Sequence, residues 1–108
     1  MQVRRQRMKT ELKKVVEKNN NTIIVEFYTE WSASSYMIGE LLKELQEAYA
    51  GSITVAFVNA DANPQLCSDF GIQKIPALLF FKNRQVVSLL QGTPSRSEIE
   101  RIIQNFKN

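Results

Sequence analysis

The sequence predicts an α/β domain in which a central mixed sheet of about four strands is flanked by four helices. Three observations carry that prediction. Two apolar, β-branched runs, residues 22–28 and 53–59, stand next to helical patterns, the arrangement expected of βαβ crossovers. Two further runs, 77–82 and 86–91, have Asn83, Arg84 and Gln85 between them and read as an antiparallel hairpin. The chain has 108 residues, of which 44% are hydrophobic and 23% charged, so residues 1–108 are expected to form a single domain with its own core.

The elements follow in order. Met8, Leu12, Val15 and Val16 recur at helical spacing, which predicts a helix over about residues 7–18, ended by Asn19, Asn20 and Asn21. Thr22 to Tyr28 is nearly unbroken in apolar character, the pattern of a strand covered on both faces and so central in its sheet. From Ser34 or Ser35, the spacing of Ile38, Leu41, Leu42, Leu45 and Tyr49 predicts an amphipathic helix to about Ala50, closed by Gly51. Ile53 to Asn59 reads as a second buried strand. Asn63 before Pro64 predicts a short helix, with the asparagine as cap, Leu66, Cys67 and Phe70 facing inward, and Gly71 as the stop. After the hairpin, Ser95, Arg96, Ser97 and Glu98 form a capping-box pattern opening a last helix with Ile99, Ile102, Ile103 and Phe106 on one face.

The side-chain inventory excludes several chemistries. With no histidine and one cysteine, Cys67, the chain can form neither an internal disulfide nor a familiar zinc site, and a Ser-His-Asp hydrolase is impossible. Glycine-rich phosphate loops are absent. No cofactor and no metal are expected. No apolar stretch approaches the ~18–20 residues of a membrane span, and the basic start is not followed by the apolar run of a signal peptide, so a cytoplasmic protein without membrane contact is expected. The net charge of +3 is uneven, because Arg4, Arg5, Arg7, Lys9, Lys13, Lys14 and Lys18 face Glu11 and Glu17 in the first 18 residues. Such an arm can bind nucleic acid or an acidic partner with salt-sensitive affinity. No aromatic residues interleave with these charges, so they read first as a solvated helix face, and nucleic acid is not an expected partner.

"VEFYTEW" with its following helix, "VNADANPQLCSDFGIQKIPALLFFKN" and "LLQGTPSRSEIERII" resemble the thioredoxin family from about residue 22 to the end. Several separate motifs match in order and spacing. The resemblance implies the thioredoxin fold, in which a short strand usually precedes the first helix; Gln2 to Arg5 would have to supply that fifth strand. In the family the turn after the tryptophan reads Trp-Cys-Gly-Pro-Cys, and its two cysteines are the redox couple. The matching residues are Trp31, Ser32, Ala33, Ser34 and Ser35. Disulfide exchange needs a thiolate, formed near pH ~8.5 and lower at a helix N-terminus. A serine hydroxyl ionises far higher and forms no disulfide, so Ser32 and Ser35 are degenerate redox positions and no disulfide reductase activity is expected. They can instead cap the free N–H groups of the following helix; a nucleophilic serine would need a base within reach.

Glu26 matches the family's proton-shuttle aspartate, while the lysine usually beside it matches Phe57. A carboxylate in an apolar strand is costly to bury ionised, so a raised pKa is expected; the alternative is that strand alternation turns Glu26 out to solvent. Pro76 matches the family's cis-proline, which predicts a cis Ile75–Pro76 bond. By the same resemblance Trp31, Ala33, Ile75, Pro76, Gly92 and Thr93 form an apolar peptide-binding patch. Cys67 reads as a packing residue, with a regulatory thiol as the alternative. Glu40, Arg84 and Tyr36 are further departures from the family pattern. The first functional expectation is a redox-inactive module that binds protein or unfolded polypeptide clients, as a chaperone or adaptor does. An alternative is a disulfide oxidoreductase whose cysteines at 32 and 35 were replaced by serine, and a third is an adaptor using the Arg4 to Lys18 face.

Overall fold

The run TIIVEFY has apolar side chains on both faces of the extended chain, and a strand of that kind is stable only between two layers. In the computed structural model, which describes residues 10–106, it forms β1 (Thr22–Tyr28), inside a mixed sheet of order β2-β1-β3-β4 among the described residues. β1 runs parallel to β2 (Ile53–Asn59) and antiparallel to β3 (Ala77–Lys82), which pairs antiparallel with β4 (Gln85–Gln91). The helices are α1 (Thr10–Lys18), α2 (Ala33–Ala48), α3 (Pro64–Asp69) and α4 (Arg96–Phe106). The expected α/β architecture is therefore present. The start of the first helix near residue 7, the fifth strand at Gln2 to Arg5 and the basic residues Arg4 to Lys9 lie outside the described residues.

Side-chain alternation splits the core into two layers. Ile23, Val25 and Phe27 of β1 join Ala77, Leu79 and Phe81 of β3 on the face covered by Leu12 and Val16 of α1 and Leu66 of α3. Ile24, Leu78 and Phe80 point the other way, onto Ile38, Leu42 and Leu45 of α2 and Ile99 and Ile103 of α4. Phe27, Phe80 and Phe81 are fully buried, each contributing about 1.5–3 kcal/mol of transfer free energy. Phe70 ties α3 to the sheet through an edge-to-face contact with Phe81, ring centroids 6.0 Å apart.

Four local expectations are corrected. β2 is at the edge among the described residues and is mostly half-buried, with Ile53 its one fully buried apolar residue. Its apolar run reflects cover by helices, while on its outer side Val55 N–H donates to Gln46 Oε1 at 2.7 Å. α2 begins at Ala33 and ends at Ala48, because Ser32 and Tyr49 are its caps. Asn63 occupies the N-cap of α3 without a capping bond from its side chain, whose Nδ2 donates instead to the Asn59 carbonyl at 2.8 Å. The hairpin turn has two residues, since Gln85 pairs with Lys82 and Asn83 and Arg84 both take positive φ, 52° and 66°. The capping box of α4 is formed as expected: Ser95 N–H donates to Glu98 Oε1 at 2.9 Å, and Glu98 N–H to Ser95 Oγ at 3.2 Å.

Candidate functional site

Phe27 pairs with Ala77 and Ala77 with Gln91, so the end of β1, the start of β3 and the end of β4 meet at one end of the sheet. The loops continuing from them carry the residues singled out in the sequence. After Tyr28 the chain turns through Thr29, Glu30 and Trp31 into α2. Ser32 is extended at the N-cap (φ −102°, ψ 117°), and its Oγ accepts from Ser35 N–H at 3.1 Å. Ser35 is 2% exposed, and its Oγ accepts from Thr29 N–H at 3.2 Å. One hydroxyl thus satisfies a free helix donor, and the other a donor from the loop after the strand.

Glu26 is 1% exposed, buried rather than turned to solvent. Removal from water pushes its carboxyl up to about 8, the Lys43 ammonium pulling partly the other way. Its Oε2 has no hydrogen-bond partner among the described residues. Gly39 explains how α2 can pass so close: a Cβ there would stand 3.1 Å from Glu26 Oε1 and 3.6 Å from the Phe57 ring. A mid-helix glycine costs about 1 kcal/mol relative to alanine, so the approach is maintained against local propensity. Phe57, the cross-strand partner of Glu26, brings no charge, as expected, but Lys43 of α2 lines a cleft together with both. Its Nζ lies 5.9 Å from the Phe57 ring centroid and 3.1 Å from Glu40 Oε2. The cleft, of about 500 Å³, is lined by Glu26, Ser32, Ser35, Tyr36, Gly39 and Lys43 among others. Glu26 was readable as a lone acid in an apolar run; Gly39 and Lys43 were missed, although the spacing of Tyr36, Gly39 and Lys43 places them on one helix stripe.

Trp31 is 79% exposed, its Nε1 donating to Asp61 Oδ2 at 3.2 Å. The Ile75–Pro76 bond is cis. Gly92 N–H donates to the Pro76 carbonyl at 2.8 Å, and Gln91 Oε1 accepts from the N–H groups of Gln73 and Lys74, so the proline loop is fastened to the end of β4. Ala33 and Thr93 are exposed, Ile75 and Gly92 half-buried and Pro76 buried, so Pro76 offers little ring surface. Tyr36 and Met37, 69% and 67% exposed, add apolar surface that the sequence reading missed. Their position off the stripe of Ile38, Leu42 and Leu45 was the available signal. Cys67 is half-buried, with Sγ 3.9 Å from the Ala60 carbonyl. Burial and, secondarily, Asp61 push its thiol up, which makes it a poor nucleophile. Among the described residues no group of histidine, cysteine and carboxylate side chains could hold a metal ion, and no helix is long and apolar enough to cross a membrane.

Residues 3–105 match the model of the family described as Thioredoxin. A thioredoxin from Alicyclobacillus acidocaldarius is 37% identical over 78 residues, 72% of this chain and 74% of that protein. Thioredoxin 1 of Nostoc sp. is 32% identical over 82 residues, 76% of this chain and 77% of that protein. Among solved structures, the N21Q mutant thioredoxin from Halobacterium salinarum NRC-1 superposes with a TM-score of 0.83 at 24% identity, covering 94% of this chain and 88% of that one. At that identity the likeness concerns the fold. With the same motifs in order, the same topology and a family match over nearly the whole length, the chain belongs to the thioredoxin family.

Proposed function

We propose that this chain is a redox-silent member of the family that holds extended polypeptide, as a chaperone or adaptor does, on the surface around Trp31 and Pro76. One observation carries the reading: hydroxyls engaged in local hydrogen bonds stand at both redox positions, beside the exposed side chains of Trp31, Tyr36 and Met37. Its named relatives are thioredoxins, which points to disulfide chemistry in the family, and two hydroxyls cannot enter that cycle. The partner is an unfolded or extended protein segment whose backbone pairs beside Ile75 and whose apolar side chains cover the indole, with Ala33, Gly92 and Thr93 around it. No metal, membrane or nucleic acid takes part, and the setting is the cytoplasm.

Fluorescence anisotropy with a labelled, permanently unfolded polypeptide tests this. Saturable binding is expected, weakened about tenfold or more by Trp31→Ala, as for a central aromatic anchor. No binding, or binding indifferent to that change, would overturn the proposal. The second reading, an oxidoreductase whose cysteines were replaced, is favoured by one feature: position 32 is half-buried at the N-terminus of a 16-residue helix with no acidic residue in its first turn. Cysteine codons at positions 32 and 35 of the natural gene would establish it.

A further inference from the structure

We infer that the cleft over Glu26, which adjoins the polypeptide surface at Tyr36, binds an organic ammonium group, quaternary or alkyl. Three acidic side chains, Glu26, Glu30 and Glu40, and three aromatic rings, Tyr28, Tyr36 and Phe57, line it together with Lys43. Acid groups combined with aromatic rings favour a weakly hydrated cation over an anion or a neutral solute. One ammonium of the chain itself, Lys43 Nζ, lies along this wall, 5.9 Å from the Phe57 ring centroid and 3.1 Å from Glu40 Oε2. The independent observation is Glu26 itself: a side chain 1% exposed lines the cleft with Oε2 unpartnered among the described residues. Such an atom is expected to have a partner. Gly39 keeps the space beside it open, and about 500 Å³ suits a small molecule. The carboxylates do not converge as metal ligands among the described residues, which leaves a diffuse organic cation as the better match.

The charge on Glu26 sets a pH signature. The charged or titratable groups facing it are Lys43, Glu40 and Tyr36 from α2, with Tyr28 and Glu30 at the end of β1; Phe57 on β2 contributes no charge. A bound cation favours the carboxylate form, so affinity rises as pH climbs through about 8.

The full chain is titrated with choline chloride, whose quaternary ammonium does not titrate, and with its neutral isostere 3,3-dimethylbutan-1-ol, following the amide signals of Ser35 and Gly39. Saturable choline binding is expected, about tenfold or more tighter at about pH 9 than at about pH 6.5, with the alcohol much weaker. Glu26→Gln should abolish the pH dependence, Gly39→Ala should weaken binding by filling the cleft, and Trp31→Ala should leave it unchanged while impairing polypeptide capture. Competition by a lysine-rich unfolded polypeptide would assign the ammonium to a client side chain, and lack of competition to a free small molecule. Equal binding of choline and the alcohol, pH-independent binding in the parent chain, or no saturable shift would overturn the inference.

Discussion

Glu26 is held neutral because β1 places it in a layer with Ile24, Leu78 and Phe80, where its side chain is almost wholly withdrawn from water at the wall of the cleft and the Lys43 ammonium only partly offsets that cost. Below about pH 4.5 the carboxyl is protonated whether folded or unfolded, and its titration does not affect stability. Between about 4.5 and about 8 the unfolded chain releases the proton while the native one retains it, so stability falls with rising pH by up to about 1.4 kcal/mol per unit. Above about 8 both states are ionised and the loss is complete. Glu26→Gln removes this dependence. Urea unfolding at several pH values should show the variant gaining on the parent by a few kcal/mol in total between about pH 5 and 8; a constant gap would show that the acid titrates normally. The acid was visible in the sequence because a lone carboxylate interrupts a β-branched run. Its neighbours were not, since the contact of Gly39 and Lys43 with β1 depends on how α2 crosses the sheet, which no local pattern encodes.

The elements show which sequence signals were sufficient. The capping box at Ser95 and the apolar stripes of α2 and α4 are local, and they located those elements within a residue or two. The edge position of β2 was not legible, because helices cover an edge strand's faces as they do a central one's and only pairing distinguishes them. The hairpin was legible as a pair of strands but not as a two-residue turn, since Arg84 is an unusual residue at a position with φ of 66°. A side chain with a Cβ is strained in that region, by about 1–2 kcal/mol in regular left-handed structure, partly offset by the unfolded-state entropy that glycine adds. Arg84→Gly should therefore stabilise the protein by about 0.5–1 kcal/mol, raising the thermal midpoint by a few degrees. An unchanged or lower midpoint would mean that the arginine side chain makes compensating contacts.

The whole molecule brings one end of three strands and the start of α2 together, so residues separate in sequence share a surface whatever atom stands at positions 32 and 35. That arrangement was legible as a resemblance spread over several motifs; the fastening of the proline loop by Gln91 and Gly92 was not, being a contact between distant segments. It also lets the consequence of the missing sulfurs be isolated. In the Ser32→Cys, Ser35→Cys double variant, the thiol at 32 would occupy a half-buried N-cap position, where the helix N-terminus favours the thiolate. The thiol at 35 would occupy a position 2% exposed. Alkylation should therefore be fast at 32 and slow at 35, a disulfide should form on mild oxidation, and reduction of insulin by dithiothreitol should accelerate relative to the parent, whose single thiol at Cys67 is held up by burial. Equal alkylation rates at the two positions would show that the turn no longer has the geometry described. Normal alkylation without faster insulin reduction would instead show that the surroundings, Ala33, Ser34 and Phe57, do not support disulfide exchange even with sulfur at both positions.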